Sequence, residues 1–244
     1  MTTIKSLILI IALLFSIPSW SQTKRLEIKH LTGNFYIYIT YSDFKGTLYP
    51  ANSMYVVTKD GVVMIDTPWD ESQMLPLLDS IETRHHKKVV MSISTHFHAD
   101  RTAGLNILKA KGIKTYSSVK TWELCKKFKE QEAEFHFMKD TTFKVGEYIF
   151  KTYYPGEGHA PDNIMVSFDK DKILYGGCFV KSTESTDVGN LSDANPVEWE
   201  KSLARAIKKY PAPKYVIPGH LSWESNKTMQ HTLDLVKKHN SKQK

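Results

Sequence analysis

Cysteine is scarce: the 244 residues carry two, Cys125 and Cys178. A multi-bridge disulfide framework is thereby excluded as the source of stability. Long apolar runs are missing too. The longest, Leu7 to Ile17, falls short of the roughly 20 residues that span a bilayer. There is no low-complexity segment and no convincing linker. The 33 Lys and Arg against 26 Asp and Glu give a formal charge of +7, yet the lysines are scattered. They occupy helix faces and the tail (Lys237, Lys238, Lys242, Lys244) and form no aromatic-interleaved basic stripe, which argues against a nucleic-acid partner. They read as solvated charge, with a weak attraction to anionic envelope surfaces or carboxylate substrates.

What is present suits an exported single domain. Lys5 supplies a positive start, Leu7 to Ile17 an apolar stretch, and Ser19-Trp20-Ser21 a small-x-small cleavage site. Residues 1–21 therefore read as a signal peptide and residues 22–244 as one domain large enough for a full core. No Cys follows the apolar stretch, which argues against a lipoprotein. Losing Lys5, the segment's only charged residue, leaves +6, and the expected destination is the periplasm. Cys125, in the helical pattern Thr121-Trp122-Glu123-Leu124-Cys125-Lys126, reads as a packing residue. A Cys125–Cys178 bridge is the alternative, and it would commit Cys178 away from metal.

Strand patterns run at Leu26–Leu31, Asn34–Thr40, Ser53–Lys59, Gly61–Asp66 and Lys88–Ser94, with Lys59-Asp60-Gly61 as a hairpin turn. Helical patterns follow at Asp70–His85, where Pro76 should kink or delay the start, and at Arg101–Lys111 and Ser118–Phe128. The second half repeats the scheme: strands at Glu147–Tyr154, Ile164–Phe168, Lys172–Gly176 and Tyr215–Ile217. Its helices start at Asn195-Pro196-Val197-Glu198, a cap, Pro and Glu in favoured order, and at Ser222. Two sheets covered by helices on their outer faces would bring the strand ends of both halves to one edge.

Those strand ends carry the chemistry. Ser94-Thr95-His96-Phe97-His98-Ala99-Asp100-Arg101 follows the β-run Val89–Ile93. Imidazoles at i and i+2 of an extended strand end project to one side, and a carboxylate two residues on reaches a second point nearby. That suits two adjacent metal ions. His-x-His alone is equally a surface loop. The weight comes from His159 in the loop Tyr154–Asn163, Cys178 after Ile173–Gly177, and His220 after Tyr215–Gly219. Each opens a loop over a rigid strand end, where enzymes mount side chains. The other six histidines (His30, His85, His86, His136, His231, His239) lack that context. His85 and His86, among lysines near a helix end, read as solvated or helix-terminal.

With these ligands, and with Val63–Trp69, Gly176–Lys181, Gly189-Asn190-Leu191, Asp193-Ala194 and Pro218-Gly219-His220, the chain resembles the metallo-β-lactamase superfamily. The resemblance covers about Glu27 to Lys237. Most superfamily members carry His after the motif's Asp, and a bridging Asp where Cys178 stands. Arg101 and Cys178 instead match the class B di-zinc β-lactamases with a cysteine ligand. His96 stands where the mono-zinc carbapenemase subclass carries Asn.

The resemblance implies an α/β (α+β) fold, a four-layer αββα sandwich of two mixed sheets with helices outside. It implies two Zn2+ per chain, one on His96, His98 and His159, the other on Asp100, Cys178 and His220. It implies hydrolysis of the β-lactam amide of penicillins, cephalosporins and carbapenems by hydroxide on zinc, hence β-lactam resistance, by a monomer. In that scheme Asp100 orients the water, Asn190 stabilises the oxyanion, and Lys181 binds the substrate carboxylate; Gly189-Asn190 is equally a turn, and Lys181 equally a solvated charge. Asp66 would support the ligand loop and Arg101 would lie beneath the cysteine-site zinc. Tyr41 to Pro50 would form a flap, or an ordinary exposed turn. No Ser-x-x-Lys nucleophile is expected to take part. The rival readings are another hydrolase of the superfamily (a lactonase, thioester hydrolase or phosphodiesterase) and a non-catalytic zinc-binding protein.

Overall fold

In the computed structural model, residues 26–243 are described; the expected signal peptide lies outside them. Seven strands form the first sheet in chain order: β1 (Leu26–Thr32), β2 (Phe35–Phe44), β3 (Thr47–Thr58), β4 (Gly61–Ile65), β5 (Val89–Ile93), β6 (Lys114–Ser118) and β7 (Phe135–Phe137). The second sheet holds β8 (Thr142–Val145), β9 (Tyr148–Tyr153), β10 (Met165–Phe168), β11 (Ile173–Gly177) and β12 (Tyr215–Pro218), in the order β12-β11-β10-β9-β8. Both are mixed: β4 to β7 pair in parallel in the first, and β11 and β12 in the second. The helices are α1 (Met74–His85), α2 (Ala99–Thr102), α3 (Leu105–Ala110), α4 (Val119–Phe128), α5 (Pro196–Lys209) and α6 (Thr228–Ser241).

Strand alternation builds the layers. In β4, Val63 and Ile65 join the core between the sheets, with Phe35, Ile37, Phe150, Val166, Phe168 and Ile173. Val62 and Met64 face the opposite way, onto Met74, Leu77 and Ile81 of α1 and Leu105 and Leu108 of α3. In the second sheet, Met165, Leu174 and Val216 turn outward onto Trp199, Leu203 and Ala206 of α5 and Leu233 and Val236 of α6. Helix, sheet, sheet, helix is the expected four-layer order, with one apolar core between the sheets and a further one under the helices on each outer face.

Where expected and observed elements differ, the cause is local. The Asp70–His85 helix begins as a 3-10 turn, Glu71–Gln73, capped by Asp70 accepting from Ser72 N–H. The α-helix proper starts at Met74, which leaves Pro76 in its first turn, where a missing N–H costs nothing. The Arg101–Lys111 helix is two short helices separated at Ala103-Gly104. The last helix starts at Thr228, not Ser222. Asn195 caps α5 as expected, its side chain accepting from Glu198 N–H. The Tyr41–Pro50 segment is a regular ladder, Tyr41 opposite Pro50 through Phe44 opposite Thr47. Lys45 and Gly46, both at positive φ, make its tight turn. Cys125 is buried against Phe97 and Ala160, and both cysteines are free thiols, so the bridged alternative is set aside.

Candidate metal centre

Every candidate donor stands on a segment leaving the C-terminal end of a strand. His96 and His98 lie in the loop after β5, Asp100 in α2, His159 between β9 and β10, Cys178 after β11 and His220 after β12. The stretch Ser94–His98 is irregular rather than extended, which corrects the expected strand-end geometry. As a result the paired histidines use different ring nitrogens. His98 Nδ1 lies 3.1 Å from His96 Nε2 and 3.2 Å from His159 Nε2. Tetrahedral zinc with bonds of about 2.0–2.1 Å requires nitrogens about 3.3 Å apart, so the triangle fits. Burial and neighbouring imidazole or lysine charge hold the pKa of His96 and of His159 well below the usual value. Neutral imidazoles with converging lone pairs are a metal-ligating state.

A second triangle adjoins the first. Cys178 Sγ is 3.3 Å from both Asp100 Oδ2 and His220 Nε2, and His220 Nε2 is 3.2 Å from Asp100 Oδ2. His96, Asp100 and Cys178 also converge within 4.8 Å. The His220 triangle is tighter, however, and His96 is already engaged by its two histidines. Asp100 Oδ1 faces back towards His96 Nε2 at 3.9 Å, so this carboxylate stands between the triangles. Burial pushes the Cys178 thiol up to about 12, against the pull of Arg101; a divalent cation among these donors would favour the thiolate instead. Gly219 is required here: a Cβ on it would lie 2.7 Å from both N and Sγ of Cys178.

Around the donors, second partners fix ring orientation. His98 Nε2 meets Asp193 Oδ2 at 3.2 Å, and His220 Nδ1 meets Pro50 O at 2.7 Å. Arg101 is fully buried beneath the second triangle. Its Nη2 lies 2.8 Å from Asp100 Oδ2 and donates to Cys178 Sγ at 3.0 Å. Although burial opposes ionisation, that guanidinium and His220 hold the Asp100 carboxyl well below the usual carboxylate range. Asp66, at positive φ, accepts from Thr95 N (2.7 Å), Thr95 Oγ1 (2.9 Å) and Tyr175 Oη (2.7 Å). It thus pins the segment leading to His96, the supporting role expected of it. Burial pushes its carboxyl up to about 6.

A cleft of about 310 Å³ opens over both triangles, lined by Phe44, Tyr49, Trp69, Lys181, Asn190 and Asp193 besides the donors. The aromatic side stands beside His220, with Tyr49 at 5.3 Å and Trp69 at 6.2 Å between ring centroids. Phe44, at the end of β2 beside the hairpin turn, is 5.9 Å from Trp69. No ion pair among the described residues engages Lys181, whose ammonium lines this cleft. Asn190 Oδ1 accepts from Ser192 N–H at 3.1 Å, an Asx turn that leaves the amide N–H groups to donate. A separate cavity of about 410 Å³ near Lys120 and Met138 includes none of the donors.

The Ser-x-x-Lys spacing does occur at Ser117–Lys120, where the two side chains do not meet as a nucleophile pair. Ser117 is buried and donates to Ser118 O, while Lys120 pairs with Glu157. His85, read as solvated or helix-terminal, closes α1 and bonds Tyr55 Oη through Nε2 at 2.9 Å. The sequence assigns no individual role to Asp193, Pro50 or Tyr49, although Asp193 lies in the Gly189–Ala194 motif and Tyr49 and Pro50 in the Tyr41–Pro50 segment.

Residues 46–220 match the family model of the metallo-beta-lactamase superfamily. The chain belongs to that superfamily. It is 44% identical over 223 residues to a "Metallo-beta-lactamase type 2" of Elizabethkingia meningoseptica, covering 91% of this chain and 90% of that one. It is 39% identical over 230 residues to metallo-beta-lactamase IND-1 of Chryseobacterium indologenes, covering 94% and 96%. Among solved structures, metallo-beta-lactamase IND-7 superposes with a TM-score of 0.84 at 40% identity, over 88% of this chain and all of that one. The family, the fold and zinc as the family's cofactor thus stand as the sequence suggested, and the cysteine in the second triangle fits the cysteine-bearing di-zinc enzymes. A lactonase-like or phosphodiesterase-like member is disfavoured by the same set, which has Cys178 and Arg101 where those carry Asp and His.

Proposed function

We propose that this chain is a zinc-dependent hydrolase of the β-lactam amide bond, with His96, His98 and His159 holding one zinc and Asp100, Cys178 and His220 the other. The observation that carries it is the pair of adjoining donor triangles at the floor of an open cleft. Zinc, when bound, supplies Lewis acidity and acidifies water to near neutrality. The chain's own groups do the rest. Asp100, between the triangles, accepts a hydrogen bond from the attacking water and aims it. The Asn190 amide donates to the lactam oxygen as negative charge develops there. The Lys181 ammonium binds the ring carboxylate that β-lactams carry. Phe44, Tyr49 and Trp69 pack against the substrate's apolar part and exclude bulk water. The water oxygen joins the carbonyl carbon, the C–N bond breaks and the nitrogen ends protonated.

All six donors come from one chain, so the reading needs only a monomer. Residues 22–244 form the single mature domain, exported to the periplasm behind the cleaved segment 1–21; the n-region, apolar stretch and small-x-small site support this. Among the described residues, no helix is long and apolar enough to cross a membrane.

Two measurements test the reading. Exhaustive chelation should abolish hydrolysis of nitrocefin, and added Zn2+ should restore it; full activity in protein shown to be metal-free refutes the proposal. Lys181→Ala should raise KM by about 1–3 kcal/mol in binding, the strength of a partly shielded charge-assisted bond, with zinc content unchanged. Lys181→Arg should keep part of that binding. An alanine variant with unaltered KM for every β-lactam tried returns Lys181 to the status of a solvated charge.

A further inference from the structure

His98 and His220 each have their outward nitrogen tied to an acceptor, but His159 does not. Its Nδ1 is buried without a hydrogen-bond partner among the described residues, so on that side the ring is aimed by packing. The aromatic neighbours of that ring are His96 and His98, each 5.1 Å away, and Trp199, 6.0 Å away at a tilt of 56°. The two histidines share its donor triangle. Among the described residues, Trp199 is therefore the aromatic neighbour of that ring outside the donor set.

Trp199 is fully buried on the first turn of α5 and touches more than His159. Its Nε1–H donates to the carbonyl of Phe179 at 3.0 Å, the residue after Cys178. The Lys181 ammonium lies 5.4 Å from its ring centroid, a cation–π distance. Gly158, before His159, is pressed between the same side chains: a Cβ there would lie 2.7 Å from the Phe179 ring and 2.8 Å from Trp199 Cδ1. The helix also grips the His159 loop by its backbone. Asn195 N–H donates to Gly158 O at 2.9 Å, and Ser202 Oγ to Glu157 O at 2.7 Å.

We propose that Trp199 is a positioning residue which sets His159 against the Cys178 loop and holds Lys181 over the cleft. It would thereby join the histidine site, the cysteine site and the carboxylate anchor through one side chain. The inference rests on the zinc-site reading above, and on the Phe179 bond and ring contacts rather than on any titration.

The test compares Trp199→Leu, which removes ring and N–H, with Trp199→Phe, which keeps a smaller ring. Metal affinity is read by chelator competition with Co2+ in the full chain. The thiolate charge-transfer band reports the cysteine site, and the remaining d–d absorption reports the histidine site. In Trp199→Leu the histidine site should weaken about ten- to a hundredfold, as when an outer partner of a metal ligand is lost. The cysteine-site band should shift while the site keeps its metal. Trp199→Phe should recover most of the histidine-site affinity and none of the band shift, because the donor to Phe179 O stays missing. In saturating zinc, KM for nitrocefin should rise more than kcat falls in Trp199→Leu, as Lys181 loses its platform. A folded leucine variant with lower thermal stability but parental affinities, band position and KM makes Trp199 a core residue only, and overturns the proposal. Should that variant not fold, a phenylalanine variant with parental band and KM overturns it equally. If the parent hydrolyses no β-lactam, the function proposed above fails, whereas the Co2+ measurement still decides the role of Trp199.

Discussion

Arg101→Ala should destabilise the fold by about 3–5 kcal/mol, the cost of stripping one partner from a buried ionic network. The side chain is fully buried and its fork is spent on both sheets. Nη1 donates to Asn52 O at 2.7 Å and Tyr175 Oη at 3.0 Å, and lies 3.5 Å from Asp66 Oδ2. Nη2 donates to Gly219 O at 3.0 Å and pairs with Asp100 Oδ2 at 2.8 Å. Truncation leaves two buried carboxylates without their counter-charge. Arg101→Lys keeps the charge but cannot reach both sets at once, so it should retain only part of the loss-free stability. The deficit should also depend on pH. Burial raises the Asp66 carboxyl to about 6 in the folded protein, above the roughly 3.9 of an unfolded chain. Between those values the folded state binds more protons, so this term lowers stability as pH rises. Without Arg101 the Asp66 value climbs further, and that term's share of the deficit should shrink as pH falls through the folded pKa. Denaturant titrations of zinc-loaded and chelated protein across pH 5–8 would show it. A loss under about 1 kcal/mol would mean that the network adjusts around the gap.

Three of the candidate donors were legible from local punctuation: Gly176-Gly177 before Cys178, Pro218-Gly219 before His220, a Gly/Pro loop around His159. The four-layer fold was legible where alternation was strong, as in Val62 to Ile65, whose side chains divide between two cores. Strands β6, β7 and β8 were not. Lys114–Ser118 is mostly polar, and Phe135–Phe137 and Thr142–Val145 have three and four residues; β6 becomes a strand by pairing with β5, β7 by pairing with β6 and β8 by pairing with β9, pairings that short sequence windows do not carry. The groups that aim the ligands were hidden for the same reason. Asp193 reaches His98 across 95 positions, and Pro50 reaches His220 across 170. The alternation of His96 and His98 was read as an extended strand end. It failed because the chain leaves β5 at Ile93 and runs irregularly into α2, and the rings converge through unlike nitrogens. Spacing identified the donors there; only the fold could say which atom each presents.

Cys178→Ser should separate the two triangles chemically. The thiol is the one soft donor in the set, and a serine hydroxyl in its place is harder, shorter and far less acidic. The contacts that centre on Sγ, 3.3 Å to Asp100 and to His220 and 3.0 Å from Arg101, would lose their anionic member. Affinity at this triangle should then fall by more than the ten- to hundredfold that loss of an outer partner costs. The histidine triangle is built from other loops, at 3.1 and 3.2 Å, and should keep its ion. Metal analysis after dialysis should give a stoichiometry falling from two towards one, and a Co2+-loaded variant should show no thiolate charge-transfer band. Hydrolysis should fall mainly through kcat, since Lys181 and the aromatic wall that bind substrate are untouched while the oxygens of Asp100 are freed from one of their two duties. A variant that retains two tightly bound zinc ions would break the grouping of donors. The looser set of His96, Asp100 and Cys178 would not rescue it, because that set loses the same sulfur.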